Sequence, residues 1–359
     1  MMNSLKYIIQ KAVEMQASDL HIIVDAPPVA RVNGEILLMN FDKLAPQDSK
    51  DMILSLLNEL QIQKLQTDRH ICFSQLIENL GYFRIAIYFS KGNIESSIRI
   101  APLHMKRLDE LGLPPIVEEL TRKTYGIILI TGPTGVGKTT TLNAMIDLIN
   151  HERRCKIVMI EDPIEFMHHH YKSIIVQQEV YSDTPSFAKA LFHVLRQSPD
   201  IICIGEMRDL DTISTALTAA ETGHLVIATL HTPDAAITIN RIIDVFPPEQ
   251  QNQTRLQLSS TLQAVISQKL LPRIDKKGRA LACEILTATE AVRNLIRENK
   301  VQQIDNTIIT SAQFQMLSMD KSIKELYQKG LISYDTAISN LKDPRVMGKQ
   351  QVPKGIPEF

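Results

Sequence analysis

Residues Gly132-Pro133-Thr134-Gly135-Val136-Gly137-Lys138-Thr139 fit the pattern GxxxxGK[ST], whose chemistry is the holding of a nucleotide's phosphates. Its three glycines let the main chain turn tightly, so that successive N–H groups face phosphate oxygens with no Cβ in the way. Lys138 supplies an ammonium for the β- and γ-phosphates, and Thr139 a hydroxyl for Mg²⁺. Thr140 completes the run expected to touch the nucleotide. ATP and Mg²⁺ are therefore the expected ligands. The flanks agree, because Tyr125 to Ile130 reads as a buried strand entering the loop and Thr140 to Ile146 as a helix leaving it. That order sets the positive end of a helix dipole against the phosphates.

Hydrolysis needs more than a phosphate cradle. Ile160-Glu161-Asp162-Pro163-Ile164-Glu165 brings three carboxylates together at the end of a strand-like run. They repel one another unless a cation or basic groups lie nearby; the alternative is a solvated acidic turn shaped by Pro163. Asp200-Ile201-Ile202-Cys203-Ile204-Gly205-Glu206 is an apolar strand ending in an acid. Gly205 stands where the commoner version of this arrangement has aspartate. Glu206 is thus expected to act alone, through metal-bound water, unless it is a strand-end Glu paired with Arg. His224 and His231 bracket the next strand-like run and should lie at opposite edges of a sheet, with His231 at the nucleotide edge or simply hydrogen-bonded in the core. Adjacent His168-His169-His170 seldom converge on one ion, so no metal is expected there. Arg84, Arg99, Arg196, Arg208 and Arg241 are as a group candidates to meet phosphoryl charge from a neighbouring subunit, although any single one is more often a surface or salt-bridge arginine.

These residues need elements to hold them. From Ile116 onward, apolar runs at Ile127–Ile130, Ile157–Ile160, Ile201–Ile204 and Leu225–Leu230 alternate with helical stretches, as in a parallel sheet covered on both faces. Residues 1–103 mix patterns. A helix over Leu5 to Met15 precedes a strand from Asp19 to Val24, and strands over Val29–Val32 and Glu35–Met39 flank an Asn33-Gly34 turn. One amphipathic helix is expected from Pro46 to about Leu65, then strands over Gly81–Phe89 and Ile94–Ile100. This first part reads as α+β with an antiparallel sheet. Residues 104–115, with Gly112 and Pro114-Pro115, read as a linker, and 116–345 as the α/β domain. After Pro247-Pro248 the pattern is mainly helical, with a hairpin near Asp275 to Gly278. Residues 346–359 are expected to be a disordered tail.

The 359 residues suffice for about two cores. Thirty-nine basic side chains against forty acidic ones leave a charge of −1, which argues against a nucleic-acid motor. No apolar run is long enough for a membrane span and no signal segment opens the chain, so a cytoplasmic location is expected. Cys72, Cys155, Cys203 and Cys283 form no CxxC pair, and neither zinc nor a disulfide is indicated.

In combination, Ile160 to Phe166, Gly205 to Asp209 and Ala216 to His224 resemble the secretion ATPase superfamily, and within it the type IV pilus retraction ATPases, the PilT family. Ala17-Ser-Asp-Leu-His21 with Pro27-Pro28 adds to the likeness, as does Ala291-Val-Arg-Asn-Leu-Ile296, similar to a C-terminal motif linked there to retraction. Val292 stands where Ile is common. The resemblance implies a PAS-like domain joined to a RecA-like ATPase domain and assembled as a homohexamer. Such a ring would sit at the inner face of the cytoplasmic membrane, with a pilus platform protein and paralogous pilus ATPases as partners. It gives Glu165 the part of catalytic acid, Glu206 that of the Walker B acid, and places His224 and His231 in a His box. Extension ATPases carry a longer N-terminal region and a four-cysteine zinc motif, so the resemblance favours retraction. A secretion ATPase of type IVB kind and an accessory nucleotide-binding subunit are the alternatives.

Overall fold

The computed structural model describes residues 4–32, 34–100, 105–275 and 278–347. Asn33 of the expected tight turn, the middle of the expected hairpin tip at 276–277, the first part of the linker and the tail from Gly348 lie outside the described residues. Two compact units emerge. One comprises Met1–Met105 with Pro163–Met167, the other Lys106–Asp162 with His168–Phe359.

In the first unit, α1 (Leu5–Glu14) buries Leu5, Ile8, Ile9 and Ala12, one face of a 3.6-residue period, and Ser4 caps it. Among the described residues six strands follow: β1 (Asp19–Ile22), β2 (Val29–Val32), β3 (Glu35–Leu38), β4 (His70–Ile77), β5 (Gly81–Ser90) and β6 (Asn93–Ile100). They form one antiparallel sheet in the order β3-β2-β1-β6-β5-β4. Phe83, Ile85 and Ile87 alternate into its core. The long helix expected after Pro46 is instead two, α2 (Pro46–Leu54) and α3 (Glu59–Asp68). Asn58 starts the second by accepting from Gln61 N at 2.9 Å, while the Gln61 side chain returns to Asn58 N at 3.0 Å. That reciprocal cap makes a new helix start more favourable than continuing the old one.

In the second unit, linker residues enter the core: Leu108, in a 3-10 turn over Leu108–Leu111, is buried with Ile116 and Val117 of α4 (Ile116–Thr121). The sheet is mixed. Strands β7 (Gly126–Thr131), β8 (Lys156–Glu161), β9 (Ile174–Glu179), β10 (Ile201–Ile204), β11 (Leu225–Leu230), β12 (Leu262–Pro272) and β13 (Arg279–Thr287) run in the order β13-β12-β7-β11-β10-β8-β9. Among the described residues every pairing is parallel except β12 with β13. Ile127 and Leu129 of β7 pack into the core on one face, Ile128 and Ile130 into that on the other, which is why the strand is apolar throughout.

The covering helices are α5 (Lys138–Glu152), α6 (Phe187–Val194), α7 (Leu210–Glu221), α8 (Ala235–Asp244), α9 (Pro248–Thr261), α10 (Glu290–Arg297), α11 (Ile304–Thr310), α12 (Met319–Gln328) and α13 (Tyr334–Ile338). The pattern after Pro247-Pro248 is mainly helical, and the hairpin near Asp275 to Gly278 is the antiparallel pair β12–β13, whose strands extend further than the sequence suggests. Their Ala, Leu, Gln and Glu residues favour helices in isolation, but nine cross-strand pairs and burial against β7 decide otherwise. Among the described residues no helix is long and apolar enough to cross a membrane.

Candidate functional site: a phosphate loop at the sheet edge

β7 delivers the chain to Gly132, whose φ of 139° suits glycine almost alone. A Cβ there would lie 2.5 Å from the carbonyl oxygen of Gln268 on β12 and 2.8 Å from Val136 Cγ2. The loop is thus seated on the neighbouring strand. Pro133, Thr134 and Gly135 are exposed, Val136 is buried, and Gly137, at φ 90°, leads into α5. Lys138 opens that helix and is only 7% exposed. Its ammonium donates to the carbonyls of Gly132 and Pro133, at 2.7 and 2.9 Å. Thr139 and Thr140 are half-buried in the first turn. Asn143 Nδ2 donates to the Thr139 carbonyl at 2.9 Å, and Asn143 Oδ1 accepts from His168 Nε2 at 2.7 Å. Burial, helped by His169, lowers the His168 pKa to about 4, so this ring is a neutral donor at physiological pH.

Two further strand ends reach the loop at the carboxyl edge of the parallel strands, where such sheets place ligands. Glu206 follows β10 and His231 follows β11. His231 Nε2 lies 2.9 Å from Glu206 Oε1, while Nδ1 lies 3.3 Å from Lys138 Nζ and 3.4 Å from Thr134 Oγ1. Nδ1 faces donors and Nε2 an acceptor, so the ring links lysine to carboxylate. Arg208 grips Glu206 with both arms, Nη2 donating to Oε2 at 2.6 Å and Nε to Oε1. Burial alone would push the Glu206 carboxyl up, but Arg208 and His231 outweigh it and hold it below the usual range. Glu206 therefore does not act alone: the Arg pairing left open by the sequence is present, with histidine beside it. Gly205 has a reason of its own. A Cβ there would sit 3.1 Å from Ile160 O and 3.3 Å from Glu161 Cα, so any larger residue would require the end of β8 to give by a few tenths of an ångström. Asp209 then caps α7 through Thr212 N at 2.9 Å, which contributes about 1 kcal/mol and fixes the exit of this loop.

The remaining candidates belong to other elements. Glu165 is exposed in Pro163–Met167, the stretch that groups with the first unit, and the second unit by itself does not carry it. Arg84 and Arg99 face each other across β5 and β6, and Arg99 Nε donates to Asp19 Oδ1 at 3.1 Å. Arg196 lies over the Phe192 ring and Arg241 is exposed on α8. His224 contacts the Ala219 carbonyl at 3.0 Å, before β11 rather than after it. His170 Nδ1 accepts from Ile175 N at 3.2 Å, so the three adjacent histidines do not converge. Sequence reasoning missed Arg279, whose Nη1 donates to the Gly135 carbonyl at 3.0 Å from the start of β13. Its sole signal is a cation just after a turn, 144 residues from the loop it holds.

The chain is similar to several known proteins. The family model described as type II/IV secretion system protein matches residues 97–359. The chain is 42% identical over 328 residues to the type IV pilus retractation ATPase PilT of Pseudomonas aeruginosa, covering 91% of this chain and 95% of that one. It is 44% identical over 310 residues to a twitching motility protein of Neisseria gonorrhoeae, covering 86% and 83%. Among solved structures, it is similar to the pilus retraction motor PilT with bound ADP, with a TM-score of 0.89, 45% identity, and 95% and 98% of the two chains covered.

Proposed function

This chain belongs to the type II/IV secretion system protein family, in the group of type IV pilus retraction ATPases, and on that premise we propose how its residues drive the motor. It is an ATP-hydrolysing enzyme, and its activity is pilus retraction, the motion behind twitching. The observation that carries the reading is the line Lys138–His231–Glu206 beside the phosphate loop. A cation, a relay and an ionised acid meet where a terminal phosphoryl group must sit.

In this reading the backbone from Gly132 to Thr140 surrounds the phosphates, and Lys138 turns from its loop carbonyls to the β- and γ-oxygens. The hydroxyl of Thr139 and the Glu206 carboxylate are a hard-oxygen donor set of the kind Mg²⁺ takes, Glu206 through water. Held ionised by Arg208 and His231, Glu206 suits that place. The ion would neutralise charge on the phosphate oxygens. His231 senses the phosphoryl group through Lys138 and Thr134. Glu165 serves as general base towards water, and Arg84 and Arg99 reach the site from a neighbouring subunit.

The assembly we propose is a homohexamer of RecA-like domains, each preceded by a PAS-like domain. It works at the inner face of the cytoplasmic membrane on a pilus platform protein, alongside paralogous pilus ATPases. No nucleic acid or zinc is involved in this scheme. Lys138→Ala tests the reading in two assays. Purified variant should lose turnover and bind ATP at least about tenfold more weakly, since a charge-assisted bond is worth about 1.5–3 kcal/mol. A strain carrying it should extend pili that do not retract. Normal turnover in the variant would overturn the assignment of the loop.

A further inference from the structure

Three residues beyond His231, the chain is fastened by side chains to which no role has been given. Asp234 caps α8 by accepting from Ile237 N at 2.8 Å, and its Oδ2 accepts from Lys342 Nζ at 2.9 Å. One residue on, Ala235 N donates to Glu284 Oε1 at 2.9 Å. Thr238 Oγ1, from the first turn of α8, donates to the Asp234 carbonyl at 2.6 Å and lies 2.6 Å from Thr232 Oγ1. The connection from His231 to Asp234 is therefore gripped at its far end. It has only two intervening residues, one of them Pro233 with its fixed φ.

The gripping groups are themselves anchored. Glu284, on β13, is 3% exposed, and Asp234 is 7% exposed. Lys342 arrives from more than a hundred residues away and is held from behind, because the Asp320 carboxylate of α12 accepts from the backbone N–H groups of Lys342 and Asp343 at 2.8 and 2.9 Å. Asp305 of α11 lies 3.6 Å from its ammonium. A side chain at the phosphate loop is thus attached, through four residues, to a buried carboxylate and a lysine that lie outside that loop.

We infer that Lys342 and Glu284 are positioning residues for ATP hydrolysis: they lock the start of α8 and so keep the His231 ring between Lys138 and Glu206. The inference rests on the role proposed above for His231. Without Lys342, the Asp234 carboxylate keeps its cap but loses the cation that fixes its direction. The His231 loop then samples positions in which the ring no longer spans both partners. Substrate binding, carried by the loop glycines and Lys138, is affected much less than turnover.

The lock has a built-in dependence on pH. Glu284 faces Asp234 from α8, Lys342 from the C-terminal segment and Asp305 from α11. With Asp320, Lys324 and Glu325 of α12 it lines a cavity of about 590 Å³. Burial pushes its carboxyl up to about 7, against the pull of the Ala235 N–H and Lys342. As pH rises through that value, Glu284 loses its proton and becomes an anion beside an N–H and an ammonium, both of which bind the anion better than the acid. The lock tightens and turnover rises.

The test compares Lys342→Met, Lys342→Arg and Glu284→Gln in the full chain. Lys342→Met should lower kcat by about tenfold, the scale of a modest misplacement at a reacting centre, with KM for ATP within about twofold. Lys342→Arg should restore most of it. The kcat profile of the unmodified protein should rise through about pH 7, and Glu284→Gln should lack that step. Unchanged kcat in Lys342→Met, or a step that survives in Glu284→Gln, would overturn the inference. So would parallel loss of kcat, nucleotide binding and thermal stability, which marks a purely structural role. A second measurement does not need turnover: the ¹³C-labelled ring signal of His231 should move in Lys342→Met and return in Lys342→Arg. If the unmodified protein hydrolyses no ATP, the ATPase reading fails, and an unmoved ring signal still sinks this one.

Discussion

Gly132→Ala isolates how tightly the phosphate loop is seated on the sheet. The new Cβ would stand 2.5 Å from the Gln268 carbonyl and 2.8 Å from Val136 Cγ2, whereas ordinary contact begins at 3.4 Å, so about 0.9 Å must be found. The strand is a poor source of it. Gln268 is 1% exposed, its side chain donates to Thr141 Oγ1 at 2.6 Å, and β12 is paired on both sides. The loop must therefore move. Backbone strain at φ 139° costs about 1–3 kcal/mol and overpacking a further 1–3 kcal/mol. Gly135→Ala is the control, with φ 80° and nothing within 4 Å, for a cost of about 1–2 kcal/mol. At about 2–4 °C per kcal/mol for a unit of this size, Gly132→Ala should melt roughly 5–10 °C below Gly135→Ala. Thermal unfolding of the two proteins, followed by circular dichroism, makes the comparison. Equal melting temperatures would refute the argument that the loop rests on β12.

Two further outcomes separate roles at the site. Glu165→Gln should keep nucleotide binding and lose about 10²-fold in hydrolysis, whereas Glu206→Gln should raise the Mg²⁺ concentration needed for half-maximal rate; normal hydrolysis by Glu165→Gln with a dead Glu206→Gln would exchange the two roles. Mixing inactive Lys138→Ala protein with inactive Arg84→Ala/Arg99→Ala protein should restore part of the activity, because an arginine supplied in trans is worth about 10³–10⁵ in rate. Full activity in protein that sediments as a monomer during the assay would defeat the ring.

What the sequence disclosed follows from how local each signal is. The phosphate loop, Glu206 and His231 sit directly after apolar strands, and strand ends are legible because the run of Ile, Leu and Val stops there. Edge strands were harder. β4 and β9 interrupt their apolar residues with half-buried Ser74, Gln75, Gln177 and Gln178, which blur the apolar alternation. The division between α2 and α3 was written in Asn58 and Gln61, but apolar residues at Leu54, Leu56 and Leu57 carry the spacing across the break. Arg279, Lys342 and Glu284 escaped notice for a different reason. Each meets its partner through the folding of a long chain segment, and no spacing in the sequence records such a meeting.

If Lys138 takes the phosphate role proposed above, its bonds to the Gly132 and Pro133 carbonyls, with the His231 ring 3.3 Å away, make nucleotide uptake an exchange rather than an addition. A phosphate claiming this lysine must break bonds already formed, so the net heat of binding is smaller than the new contacts alone suggest. The same exchange discriminates among ligands. A nucleotide whose phosphates do not extend to the lysine gives it nothing in return and leaves it on its own loop. A di- or triphosphate replaces two carbonyl dipoles with full negative charge. On that role, the contacts of one side chain would favour the longer phosphate chain.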